Sequence, residues 1–141
     1  MSIASGSTSR LGGLALTAAI VELTLTTAYI HLNLGGLLFT LNAAGYLALA
    51  VAVAVGAFAP HPFIRRFSWL PRIGLAGYTL VTIGAYLVIG PYFDLGWVAE
   101  AIEVAILTLL AADVVRVYGS PIGLARAAVA SMPRSGVVRP A

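Results

Sequence analysis

Cysteine and lysine are both absent from this 141-residue chain, and charge of either sign is scarce. Without Cys there is no disulfide, no thiolate metal site and no cysteine nucleophile. Without Lys there is no Schiff-base chemistry. Only 9% of the residues are charged, against about 25% in a typical soluble domain. With 60% hydrophobic residues, too few polar groups remain to cover a surface facing water. Residues 23–64 and 73–93 hold no Asp, Glu, Lys or Arg at all. A helix needs about 20 apolar residues to cross ~30 Å of hydrocarbon, so the first run accommodates two spans and the second one.

What is present divides these runs. Gly35 and Gly36 after Asn33 suit a tight turn with positive φ. Pro60 and Pro62 stop the next helix, Gly90-Pro91 the one after, and Gly119 with Pro121 the last. The chain thus reads as an all-α, four-helix transmembrane bundle running up-down-up-down, with spans near 11–33, 36–58, 72–90 and 97–118. Residues 1–10 are expected to form a disordered N-terminus, and 119–141 a cytoplasmic tail with a short interfacial helix over 121–131. Four spans place Arg10, the group Arg65, Arg66 and Arg72, and the group Arg116, Arg126, Arg134 and Arg139 on one side. The positive-inside rule makes that side cytoplasmic, and both termini with it. The pI near 9.7 then reflects arginines on a membrane rim that attracts anionic head groups. Membrane lipid is the expected partner, and nucleic acid is not one.

Polar residues inside the spans carry what functional signal there is. Glu22 lies near the centre of the first span, where an acid costs about 2.5–3.5 kcal/mol to insert, so it is expected to face the bundle. At 100° per residue it shares a helix face with Thr26, Tyr29 and Asn33, while His31 falls almost opposite, beside Thr24 and Thr27. Glu100 and Glu103 lie one turn apart on the fourth span, with Glu103 ~9 Å below Trp97 at 1.5 Å per residue. Asn42 reaches a similar depth on the second span, and Tyr86 lies in the outer half of the third. A cluster open to the outside and descending toward Glu22 is expected from Asn33, Asn42, Tyr86, Glu100 and Glu103. It would serve as a small-ligand pocket or a proton path. The competing role is packing, through interhelical hydrogen bonds worth ~0.6 kcal/mol each on average. Asp113 and Arg116 are spaced for an i,i+3 ion pair. Ala44, Ala48, Ala52 and Gly56 form a small-residue stripe suited to close helix approach.

Neither histidine points to a cofactor. His31 sits near the outer surface and His61 in the inner loop, too far apart to share one iron or metal ion. No cofactor, metal site or catalytic residue is predicted, and no serine triad, phosphate loop or metalloprotease helix motif occurs.

His31-Leu32 followed by Gly36-Leu37-Leu38-Phe39-Thr40-Leu41-Asn42-Ala43 resembles a pattern in uncharacterised small four-helix integral membrane proteins of high-GC bacteria. There a helix-end His-Leu precedes a Gly-x-Leu-Phe-x-Leu-Asn-Ala segment opening the second helix; the connection here is much shorter. The resemblance implies a multi-pass protein of the bacterial cytoplasmic (inner) membrane, marks His31 and Asn42, and supplies no mechanism. The expected function is a non-enzymatic accessory or structural subunit of a larger membrane complex, or a homo-oligomer. The alternative is a proton-coupled carrier or small-ligand binder using Glu22, Tyr29, His31, Asn42, Tyr86, Glu100 and Glu103.

Overall fold

The computed structural model describes residues 4–132, and six helices follow one another along them with no strand. They are α1 (Ala4–Leu34), α2 (Leu37–Phe58), α3 (Pro62–Arg66), α4 (Trp69–Ile89), α5 (Asp94–Tyr118) and α6 (Pro121–Ser131). The tail expected over 133–141, with Arg134 and Arg139, lies outside the described residues.

The breaks fall where backbone chemistry requires them. Gly35 and Gly36 take φ of 74° and 84°, folding α1 back onto α2, and Gly119 ends α5 in the left-handed region at φ 75°. Two expectations need correction. The disordered start is helical from Ala4: residues 4–10 hold no proline, and extending an existing helix adds a hydrogen bond for each residue fixed. The inner loop contains α3 and the first turn of α4. Pro62 stands at the start of α3, where a missing N–H costs nothing, and His61 caps it by accepting from the Phe63 amide at 3.2 Å.

Four long helices pack in a ring: α1 against α2 and α5, α4 against α2 and α5. Ile20, Tyr46, Val53, Leu75, Ile106 and Leu110 fill the centre. α6 lies across the end of α4 and α5. Its Ser131 accepts from Trp69 Nε1 at 3.0 Å through Oγ, and from Arg66 Nη2 at 2.6 Å through the backbone carbonyl.

The polarity of this bundle is inverted relative to a water-soluble one. Leu37, Leu38, Val88 and Ile89 are among many large apolar side chains on the outside, whereas Thr24, Thr27, Thr79, Arg72, Glu103 and Asp113 are buried. Residues Arg10–Leu34 of α1, all of α2 and all of α4 are long and apolar enough to cross a membrane. An apolar exterior of this extent suits surroundings that are themselves apolar.

The small-residue stripe on α2 is not the seam. Ala44 and Ala48 are exposed, and the buried face carries Ala43, Tyr46, Ala50 and Val53 instead. The large Tyr46 ring turns its own face inward because its hydroxyl finds partners there. Close approach occurs at Gly45, where a Cβ would strike the Tyr78 hydroxyl, which donates to the Asn42 carbonyl at 3.2 Å.

Candidate functional site

Every helix of the ring contributes to one buried polar centre. Glu103 on α5 is 0% exposed. Its Oε1 accepts from Thr27 Oγ1 of α1 at 3.1 Å, and its Oε2 from Thr82 Oγ1 of α4 at 2.8 Å. Tyr46 of α2 completes the set with its hydroxyl 2.6 Å from Thr82 Oγ1. A hydroxyl has one proton. Thr82 has two acceptors in reach, Glu103 Oε2 and the Thr79 carbonyl at 2.9 Å, and whichever takes its proton, Tyr46 donates to Thr82 Oγ1, in a chain linking α2 through α4 to α5.

His31 sits beside this chain, with Nε2 3.8 Å from Glu103 Oε1. That separation is an ion-pair distance and too long for a hydrogen bond. Its Nδ1 lies 2.8 Å from the Thr27 carbonyl. A carbonyl only accepts, so Nδ1 carries the proton in this contact. Phe39 and Tyr46 flank the imidazole, with ring centroids at 6.1 and 5.7 Å.

Above this centre, at the end of the bundle away from Arg72 and Arg116, lies a cavity of about 350 Å³. His31, Asn42, Tyr86 and Glu100 line it together, as does Thr82, which joins it to Glu103. Two acceptors in its wall are unsatisfied: Asn42 Oδ1 and Glu100 Oε2 are buried without a hydrogen-bond partner. Glu100 is 9% exposed. Tyr86 anchors the outer loop, donating to the Phe93 carbonyl at 3.3 Å and accepting from its amide at 3.2 Å. Gly96 makes room for it, since a Cβ there would meet the Tyr86 ring.

The expected cluster is therefore brought together in part. Asn42, Tyr86, Glu100 and His31 converge on the cavity, with Glu103 just beneath. Glu22 and Tyr29 do not join them: both are exposed, on a shallow groove between α1 and α2 that also includes Val21, Leu25 and Phe58. Asn33 is exposed as well, its Nδ2 donating to the Tyr29 carbonyl at 2.7 Å. The reason is rotational. Thr17, Ile20, Thr24, Thr27 and His31 form the buried stripe of α1, and Glu22, 200° from Thr24, must point the other way.

A second buried charge group closes the opposite end. Arg72 Nε donates to Asp113 Oδ2 at 2.8 Å and Nη1 to the Ser68 carbonyl at 2.7 Å, while Arg116 Nη2 donates to Asp113 Oδ1 at 2.6 Å. The i,i+3 pair is present as expected; the bond from α4 to α5 is the one the sequence did not announce.

No family model, curated protein or solved structure matches the chain.

Proposed function

We propose that this chain is a four-span protein of a bacterial cytoplasmic membrane that binds a small ligand at the outer end of its bundle and exchanges protons beneath it. α5 is the fourth span. Its 25 residues extend about 37 Å, and Glu100, Glu103 and Asp113 turn inward, sparing them contact with hydrocarbon. The antiparallel ring gathers Arg10, Arg65, Arg66, Arg116 and Arg126 at one end, which the positive-inside rule makes cytoplasmic. Gly13 of α1 lies against Arg116 of α5, which places the start of α1 at that end too. The resemblance noted for His31 to Ala43 agrees with this layout.

The observation that carries the ligand reading is Glu100. An acid nine-tenths buried in the wall of a cavity, with one oxygen unpaired, is costly. A ligand that pairs with it offsets the cost. The volume falls within the range of small-molecule sites. Two carboxyl groups one turn apart on α5 supply the coupling: a ligand arriving at Glu100 changes the field at Glu103, beside which His31 lies. A non-enzymatic role is part of this reading. Thr27 and His31 superficially pair a hydroxyl with an imidazole, but Nδ1 already donates to a carbonyl and cannot serve Thr27 as a base.

Native mass spectrometry after mild-detergent release tests the reading. A small molecule retained by the unaltered chain and lost on Ala99→Phe, which fills the cavity, is the expected result. An unaltered chain free of any such mass, and unresponsive to added compounds, would count against it.

A second reading rests on Glu22. An exposed acid at mid-span is expensive in lipid, and a neighbouring copy or a larger membrane complex that covers the Glu22–Tyr29 groove would relieve it. This is the accessory-subunit role. Cross-linking through the groove, abolished by Glu22→Leu, is its expected signature.

A further inference from the structure

We infer that the ligand of the cavity is an amphiphilic amine, bound with its ammonium group at Glu100 and its apolar body toward the gap between α2 and α4; this rests on the cavity being a ligand site. The sign of the charge comes from the wall. Its unsatisfied groups are Asn42 Oδ1 and Glu100 Oε2; the Asn42 amide can serve a donor or an acceptor, whereas the Glu100 carboxylate only accepts and so calls for a donor. The terminal torsion of a glutamate is broad, and a small rotation turns Oε2 to an occupant. Among the described residues no arginine lines the space to recognise an anion. The only basic side chain there, His31, has Nδ1 committed to the Thr27 carbonyl. Rings of Phe39, Tyr78, Tyr86 and Phe93 also border it, and aromatic faces attract organic cations.

Size and position supply the rest. A space of about 350 Å³ is far larger than a bare ion requires. The α2 and α4 edges of the cavity are Leu38, Leu41, Val81 and Ile89, exposed by 72%, 60%, 69% and 77%. In a bilayer these side chains meet acyl chains. An occupant that reaches Glu100 past them needs an alkyl or aryl part matched to that edge and a cationic head matched to the wall.

The test measures retention of hexylammonium, hexan-1-ol and hexanoate on the full chain by native mass spectrometry. Hexylammonium is expected to bind at least tenfold more tightly than hexan-1-ol, with hexanoate weakest. Glu100→Gln should weaken hexylammonium at least tenfold and leave hexan-1-ol within twofold. Equal binding of the alcohol and the ammonium would overturn the amine assignment while sparing the cavity as a binding site. Preference for hexanoate would overturn it too, and make His31 the anchor. Retention of none of the three would remove the amine and the ligand site together. Should Glu100→Gln fail to fold, the ranking of the probes on the unaltered chain decides.

Discussion

Thr82→Val probes the polar centre at its narrowest point. Valine preserves the shape and β-branching of threonine but removes one hydroxyl that takes part in two interhelical bonds. The bond to Glu103 Oε2 at 2.8 Å disappears, and so does the acceptor that Tyr46 uses at 2.6 Å. Interhelical hydrogen bonds in membranes average ~0.6 kcal/mol and reach ~1.7. Two of them make Thr82→Val destabilising by about 1–3 kcal/mol, consistent with ~1–3 for one buried group left unpaired. Tyr46→Phe removes only the second bond and should cost ~0.6–1.7 kcal/mol. Because both changes delete that same bond, the double variant should fall short of the sum by one bond, again ~0.6–1.7 kcal/mol. Unfolding in mixed detergent–dodecyl sulfate micelles measures all three. A Thr82→Val cost below ~0.3 kcal/mol, together with strict additivity, would show that the chain of hydroxyls contributes nothing to folding.

Other substitutions separate buried groups from exposed ones. Arg72→Met strands one Asp113 oxygen at the closed end; about 3 kcal/mol of lost stability is expected, the low end for a broken buried pair because Arg116 remains, read by the same unfolding assay. Gly96→Ala forces the Tyr86 ring away from α5; thermal unfolding should shift downward and ligand retention should fall, whereas unchanged values would mean that the outer loop does not shape the cavity. Ala48→Leu, on an exposed face of α2, should alter stability by no more than ~0.5 kcal/mol, and a larger loss in the monomer would restore the small-residue stripe as a packing seam.

Much of the architecture was legible because glycine and proline punctuate an otherwise uniform apolar text. Gly35-Gly36, Gly90-Pro91 and Gly119 with Pro121 mark helix ends to within a few residues. α3 escaped notice because Pro60 and Pro62 read as stops, although Pro62 is also well suited to starting a helix. The site was harder to read. Asn42, Tyr86, Glu100 and Glu103 lie at similar depth by their distance to helix ends, and the first three line the cavity with Glu103 beneath them. The face of α1 could not be settled in the same way. Both sides of that helix carry threonines, and a threonine can satisfy itself on the carbonyl one turn back, as Thr24 does on Ile20 and Thr26 on Glu22. The cost of a lone acid in lipid favours the inward side for Glu22, yet it is exposed. The buried side of α1 is the one that carries Thr17, Ile20, Thr24, Thr27 and His31, where Thr27 donates to Glu103 of α5 and the His31 ring packs beside Phe39 and Tyr46 of α2. That stripe was the available signal, since its members recur at helical spacing and end in a titratable ring. The Arg72–Asp113 bond joins residues on separate helices, and local spacing carries no information about such a pair.

Photo-cross-linking offers the most direct check that the cavity, and not the Glu22 groove, is where this protein meets a ligand. An alkylammonium probe bearing a diazirine, irradiated with the full chain in nanodiscs and mapped by peptide mass spectrometry, should label residues 38–42 of α2, 81–89 of α4 and 96–100 of α5. Label concentrated on residues 18–29 of α1, or spread evenly over the lipid-facing surface, would contradict the account.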